Sequence, residues 1–234
     1  MDIRILNYIE GAKQAEGLTV IIDVFRAFSV ECYLYDKGVN DIYAVGTTQK
    51  AFILKEENPD YILVGERNGL LLDGFEYGNS PYYINQGDNL SGSTVVHTTS
   101  AGTKGIVNAV GASEIITGSF VNAKAIADYI SSKKPSVVSL VAMGNNGVCE
   151  AREDVLCAMY IKSLLLNEEF DLSTLKAKLI NNGGERFNDD NAQDSQPRQD
   201  FHFCLDCNRF DFIIKAEKID KDMFQMVKIK RTIR

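Results

Sequence analysis

The chain predicts an α/β fold with three layers, α/β/α, around a mostly parallel central sheet. Three observations carry this. Short β-rich runs alternate with helix-like runs along most of the sequence. Several strand-like runs are apolar at every position, as strands buried on both faces are. Polar clusters then begin where those runs stop. Asp23 and Arg26 follow Val20-Ile21-Ile22, and Gly65-Glu66-Arg67 follows Tyr61-Ile62-Leu63-Val64. Thr98-Thr99-Ser100 follows Val95-Val96, and Gly144-Asn145-Asn146-Gly147 follows the run from Val137 to Val141. Ligands of open α/β sheets sit outside the carboxyl ends of the strands. The clusters therefore predict one site assembled from distant segments.

The elements follow in order. Leu18 to Val24 reads as a buried strand, and Arg26 to Lys37 as a helix stopped by Gly38. Asp41 to Val45 is a short strand. Thr48 caps a helix through Asn58, and Pro59 enforces the exit. Tyr61 to Val64 is the next strand. Residues 66 to 92, rich in glycine and without periodicity, read as a functional loop or lid. Thr94 to Thr98 is a strand and Gly102 to Val110 a helix. Glu114 to Thr117 is a strand, with a helix from Val121 to about Ser132. Val137 to Val141 is a strand, and Glu153 to Leu166 a helix with acid at its start, as the macrodipole favours. Residues 181 to 200 are rich in Asn, Asp and Gln and read as a loop. Phe201 to Phe203, Phe210 to Ile214 and Met226 to Ile229 read as terminal strands at the sheet edge. Neither a repeat nor a second domain is visible, so residues 1–234 are expected to form one domain.

An apolar fraction of 45% supplies a core, and the net charge of -7 argues against a general nucleic-acid binder. The chain lacks an apolar stretch of membrane-spanning length, and Met1-Asp2-Ile3-Arg4 does not open a signal peptide. Five cysteines, an odd number, do not suggest a disulfide scaffold, and a cytoplasmic setting is expected. The oligomeric state stays open, a homo-oligomer among the choices.

Asp23 can bind Mg²⁺ or position water from a strand end, or it can cap the following helix. Arg26 can fork onto a phosphate, sulfonate or carboxylate, or pair with Asp23. Glu66 is a candidate metal ligand or base and Arg67 a candidate anion clamp, against an exposed ion pair as the plainer alternative. Asn79 and Ser80, in Gly78-Asn79-Ser80-Pro81, can meet substrate oxygens or fix a turn. The run Thr98, Thr99, Ser100, Gly102, Thr103, Lys104 is the strongest local signal, because backbone N–H groups at a helix start would cradle an anion. It is neither a Walker loop nor a dinucleotide fingerprint, and no G-x-S-x-G elbow occurs. Glu153 and Asp154 open a helix about 100° apart, so at most one is expected to face the site directly. His97 and His202 read as structural. Cys204 and Cys207 make one C-x-x-C, too little for a zinc site.

Taken together, several motifs resemble the 2-phosphosulfolactate phosphatase family, the ComB-like proteins, from about Leu18 to Leu166. The motifs are Ile22-Asp23-Val24-Phe25-Arg26-Ala27, Gly65-Glu66-Arg67, and Gly74-Phe75 with Gly78-Asn79-Ser80-Pro81. To these add Thr98-Thr99-Ser100-Ala101-Gly102-Thr103, Gly118-Ser119-Phe120-Val121-Asn122-Ala123 and Glu153-Asp154-Val155-Leu156-Cys157-Ala158. The order and spacing of the set are specific, although each motif is modest alone. The resemblance implies Mg²⁺-dependent hydrolysis of (2R)-phospho-3-sulfolactate to sulfolactate and phosphate, a step of coenzyme M synthesis and of bacterial sulfolactate formation. It also implies an α/β/α fold unlike the common phosphatase folds. Where the family more usually has Asn-Gly-Thr after its paired threonines, this chain has Ser100-Ala101-Gly102-Thr103, and Phe28 replaces a small hydroxyl residue.

The expected protein is therefore a metal-dependent phosphatase for a small, multiply anionic phosphate ester. Asp23 and Glu66 would hold Mg²⁺, with Glu153 or Asp154 completing the shell or orienting water. Arg26 and the Thr98 to Thr103 turn would hold the phosphoryl group. Arg67, Asn79 and Lys104 would grip a distal acidic group. A phosphometabolite-binding protein without catalysis, or another phosphoester enzyme on the same scaffold, are the competing expectations.

Overall fold

The computed structural model describes residues 1–230. β1 (Asp2–Asn7) and α1 (Tyr8–Lys13) open the chain, followed by β2 (Gly17–Ile22), α2 (Ala27–Asp36), β3 (Asp41–Val45) and α3 (Thr48–Glu57). Next come β4 (Ile62–Arg67), β5 (Leu70–Leu71), α4 (Pro81–Gln86), β6 (Thr94–Thr98), α5 (Gly102–Asn108) and β7 (Ala112–Gly118). The rest is α6 (Ala123–Lys133), β8 (Val137–Ala142), α7 (Arg152–Leu166), α8 (Leu175–Leu179), α9 (Arg198–Cys204), β9 (Phe212–Asp220) and β10 (Met223–Lys230).

The strands form a ten-stranded sheet in the order β1-β8-β2-β7-β9-β10-β3-β6-β4-β5. It contains two parallel blocks, β1-β8-β2-β7 and β3-β6-β4. The β9–β10 hairpin joins them through antiparallel ladders to β7 and β3. This corrects the expected edge position of the terminal strands: they lie mid-sheet. The reason is apolar pattern, since Phe212, Ile213, Ile214 and Met226 are buried, which an edge does not require. Phe201 to Phe203 is also corrected, from strand to the middle of α9. Phe201 and Cys204, three apart, are buried on one side of that helix while His202 is exposed.

Both faces of the sheet are covered, so the central strands alternate between two cores rather than between core and water. On β2, Ile21 enters the cluster with Ala12, Phe28, Ile84 and Ile106 from α1, α2, α4 and α5. Val20 and Ile22 enter the opposite cluster with Ile126, Ile161, Leu175 and Phe201 from α6, α7, α8 and α9. The helix after β3 is capped one residue earlier than its sequence suggests, by Thr47, whose side chain accepts from Lys50 N–H. The glycine-rich stretch at 66–92 is more ordered than its composition implies. It carries the end of β4, the short β5, and α4 with Ser80 as cap and Pro81 in its first turn.

Candidate active site

The sheet delivers Asp23 from the end of β2 and Glu66 from the end of β4. Ser100 comes from the turn after β6, and Gly144 to Asn146 from the loop after β8. All line one cleft of about 310 Å³ with Glu153 and Asp154 of α7. The expected convergence of distant segments at one rim is therefore seen. Two asparagines in the wall, Asn68 and Asn146, have left-handed backbones with φ of 55° each. Asn tolerates that region better than most residues.

Four carboxylates face this cleft and do different things. Asp154 accepts from Val24 N–H at 2.8 Å with one oxygen and from Gly144 N–H at 2.9 Å with the other. It pins the ends of β2 and β8 to the start of α7. Glu66 is also fully engaged: it accepts from Gly69 N–H at 2.7 Å and Ser100 N–H at 2.8 Å. Here it is a brace between two loops, and the free metal ligand expected at this position is not what its geometry offers. Asp23 accepts a longer bond from Ala27 N–H at 3.3 Å through Oδ1, as a helix cap would, and Oδ2 carries no bond among the described residues. Glu153 Oε2 is buried with no partner among the described residues. A Cβ added to Gly183 would stand 2.6 Å from that oxygen, so only a glycine backbone lets the 181–184 turn pass so close.

Burial pushes the Asp23 carboxyl up to about 6, with the Glu66 charge adding to the rise. Burial likewise pushes Glu153 up to about 7, against the opposing pull of the Arg186 guanidinium. Asp154 is raised well above the usual range by burial and then by its two acidic neighbours, Asp23 and Glu153. Desolvation and mutual repulsion thus make an acidic cluster that a cation would stabilise.

The donor set suits Mg²⁺. The free oxygens, Asp23 Oδ2 and Glu153 Oε2, are hard carboxylate donors. Among the described residues no group of three or more His, Cys, Asp or Glu is arranged as a metal shell. Mg²⁺ on phosphoryl-transfer enzymes commonly takes one or two carboxylates and fills its shell with water and substrate phosphate, so two ligands suffice.

The cations are distributed differently from expectation. Arg26 is buried, and its Nη1 donates to Asp200 Oδ2 at 2.7 Å and to the Ser195 carbonyl at 2.7 Å. Its Nη2 donates to the Gly69 carbonyl at 3.3 Å. The expected phosphate clamp is thus a strut that fastens the 181–200 excursion over the cleft. Ser80 donates to the same Asp200 at 2.8 Å and caps α4, so its hydroxyl is a structural link rather than a substrate contact. The cleft's less committed cation is Arg186, which sequence reasoning missed. It lies in the polar excursion, where nothing local sets it apart. Its Nη2 donates to the Phe25 carbonyl at 2.9 Å and stands 3.8 Å from Glu153, its plane lies over the Phe25 and Phe187 rings, and Nε has no partner among the described residues.

The Thr98 to Thr103 turn is tighter than an anion cradle. Ser100 N–H is taken by Glu66, and Thr103 N–H and Oγ1 turn back to Thr99. Thr98 and Thr103 are buried, and a Cβ on Gly102 would meet the Phe28 ring at 2.8 Å. The turn's glycine serves close packing. Thr99 and Ser100 instead reach a neighbouring open pocket of about 460 Å³ that also holds Arg67 and Lys104. It shares Asn68, Ser100 and Asn146 with the acidic cleft. Arg67 donates to Thr98 Oγ1 at 2.9 Å and to the Glu66 carbonyl at 2.6 Å, which aims it along this seam. Asn79 lines the cleft with its Oδ1 on buried His97. His97 also meets Glu31 Oε1 through Nδ1 at 3.0 Å. Cys204 and Cys207 are free thiols.

A doubly covered α/β sheet with carboxylates and cations gathered at its carboxyl rim defines a protein built to hold a small anionic ligand. The chain belongs to the 2-phosphosulpholactate phosphatase family, whose model matches residues 5–218. It is accordingly a phosphatase, a hydrolase. A protein of Carboxydothermus hydrogenoformans described as a probable 2-phosphosulfolactate phosphatase is 38% identical over 170 residues, 72% of this chain and 69% of that one. Proteins of the same description from Bacillus subtilis and Clostridium novyi are 33% identical over 150 residues and 34% over 169. These alignments cover 63% and 71% of this chain and 64% and 71% of those proteins.

Proposed function

We propose that the cleft hydrolyses 2-phosphosulfolactate, or a closely related phosphate ester with a second anionic group, to the free hydroxy acid and phosphate in a Mg²⁺-dependent reaction. One observation carries this reading: an acidic cleft, where Asp23 Oδ2 and Glu153 Oε2 have no hydrogen-bond partner among the described residues, opens directly onto a pocket holding Arg67 and Lys104. A phosphoryl group with its cation fits the first part, and a sulfonate or carboxylate fits the second.

Asp23 and Glu153 would hold Mg²⁺. When bound, the ion would neutralise phosphoryl charge and lower the pKa of a water. Arg186 places a guanidinium 3.8 Å from Glu153 Oε1 and would strengthen its hold as negative charge builds on the transferring group. Water attacks phosphorus in line with the departing hydroxy-acid oxygen. The attacking water would release its proton to solvent and the departing alkoxide would take one up, leaving the free hydroxy acid and hydrogen phosphate. Asp154 and Glu66 keep the loops in register, and Arg67 and Lys104 orient the ester through its distal charge. Five free cysteines, three of them buried, fit a reducing cytoplasm.

Phosphate release from 2-phosphosulfolactate, phosphoglycolate and phospholactate, each with Mg²⁺ and with chelator, tests the reading. Release fastest from the sulfonated ester and abolished by chelator is expected. Equal rates with chelator would remove the metal, and release from none of the three would remove the reaction.

A further inference from the structure

One wall of the cleft rests on a buried polar chain that the hydrolysis does not itself use. His97 of β6 has no exposed surface, nor does Glu31 of α2. His97 Nδ1 lies 3.0 Å from Glu31 Oε1, and His97 Nε2 lies 3.1 Å from Asn79 Oδ1. Thr117 of β7 donates to Glu31 Oε2 at 3.4 Å. Asn79, 4% exposed, sits where the acidic cleft meets a groove walled by Tyr77 and Tyr83. Its Nδ2 amide has no hydrogen-bond partner among the described residues.

The proton on the ring decides what Asn79 shows to a ligand. An imidazole nitrogen that faces an amide oxygen must carry the hydrogen. With Nε2–H donating, Asn79 Oδ1 is engaged and both Nδ2 hydrogens remain for the cleft. An ionised Glu31 beside a doubly protonated ring gives this arrangement. So does a protonated Glu31 donating to a bare Nδ1. A ring protonated at Nδ1 alone reverses it: Nε2 would accept from Asn79, and a carbonyl oxygen would face the anion. An amide donor attracts a phosphate or sulfonate oxygen, and a carbonyl repels it.

We propose that Glu31 and His97 are positioning residues that hold the Asn79 carboxamide with its Nδ2 amide directed to the anionic substrate. The proposal rests on the reading of the cleft as a phosphate-ester site, and its tests include one that does not need turnover. The chain has two histidines, and His202 is exposed, so nitrogen-15 labelling of histidine in the whole protein separates them. A hydrogen on His97 Nε2 is expected. A His97 ring bare at Nε2 overturns the proposal, whatever the enzyme hydrolyses.

The second arm is a double-mutant cycle read by KM for 2-phosphosulfolactate and by Kd for inorganic phosphate. Asn79→Ala and His97→Leu should each raise both constants about tenfold, the loss of one hydrogen bond to a charged group. The double variant should be no worse than either, because His97 acts only through Asn79. Additive losses would mean that His97 acts by packing alone and would overturn the proposal. Should His97→Leu fail to fold, Asn79→Asp keeps the question open to measurement. It replaces the donor by an acceptor of the same shape and must weaken phosphate binding at least as much as Asn79→Ala. If none of the three esters is hydrolysed, the assigned reaction fails while ring protonation and phosphate affinity still decide this point.

Discussion

The acidic cluster should make the metal-free protein less stable as pH rises, and Mg²⁺ should reverse that. Asp23 is 8% and Glu153 2% exposed, and burial raises them to about 6 and about 7. A folded-state pKa above the unfolded value means that the native chain binds the proton more tightly. Below about pH 4 both states are protonated and nothing is lost. Between about pH 4 and 7 the unfolded chain releases its protons first, so unfolding becomes easier with each pH step. At roughly 1.4 kcal/mol per tenfold change in proton affinity, each rise corresponds to about 3 kcal/mol. The two sites interact, so their joint effect is a few kcal/mol rather than the sum of the two. Thermal unfolding by circular dichroism from pH 4.5 to 8.5 in chelator should show a falling Tm, and Mg²⁺ should raise Tm more at pH 8 than at pH 5. Asp23→Asn and Glu153→Gln should unfold later than the parent at pH 8 in chelator, yet gain little from Mg²⁺. If the parent and both variants share one pH profile, the two carboxylates are not the strained pair described above.

Three further outcomes follow from the same geometry. Arg186→Ala should lower kcat/KM at least tenfold, measured by phosphate release, while Arg186→Lys recovers part of it. Arg67→Ala and Lys104→Ala should raise KM for the sulfonated ester and leave phosphoglycolate hydrolysis less affected, so the rate ratio of the two esters is the measurement. Asp200→Ala strands the buried Arg26 guanidinium, bonded to it at 2.7 Å. It should cost about 3–5 kcal/mol in urea unfolding.

How much of this could be read from the chain depended on whether the cause was local. β2, β3, β6, β8, α6 and α7 were legible because two-sided burial writes an apolar run, and caps and charges mark helix ends. β1 and α1 were not, because Asp2, Arg4 and Glu10 interrupt the pattern of an edge strand and its following helix. Asp23, Glu66, Ser100 and Glu153 were legible as cleft residues, since each follows a strand or opens a helix. Their division of labour was not. Whether a carboxylate braces or stays free is set by which N–H groups approach it from elsewhere. Glu66 is braced by Gly69 and Ser100, and Asp154 by Val24 and Gly144. Arg26 looked like a clamp because its partner, Asp200, is remote in sequence. Arg186 carried no local signal.

The terminal hairpin explains how such a site can exist. In the sheet order, β2 and β6 stand five places apart, roughly 24 Å if the sheet were flat. Residues beyond both strands nevertheless line a cleft of about 310 Å³. Loops beyond the strand ends, among them Asn68, Asn145 and Asn146, close that distance. A Cβ on Gly105 of α5, the helix after β6, would meet Ile21 of β2 at 2.7 Å and Met143 beyond β8 at 2.4 Å. Gly102 stands equally close to Phe28 of α2. Glycine at both positions lets α5 settle against β2 and the start of α2. β9 and β10, inserted antiparallel between β7 and β3, add width and right-handed twist where the blocks join. Two separate strand rims meet here, one bringing Asp23 and the α7 carboxylates, the other Glu66, with Arg67 and Lys104 in the adjoining pocket. An acidic cleft beside a cationic pocket is then a consequence of the hairpin's place in the sheet.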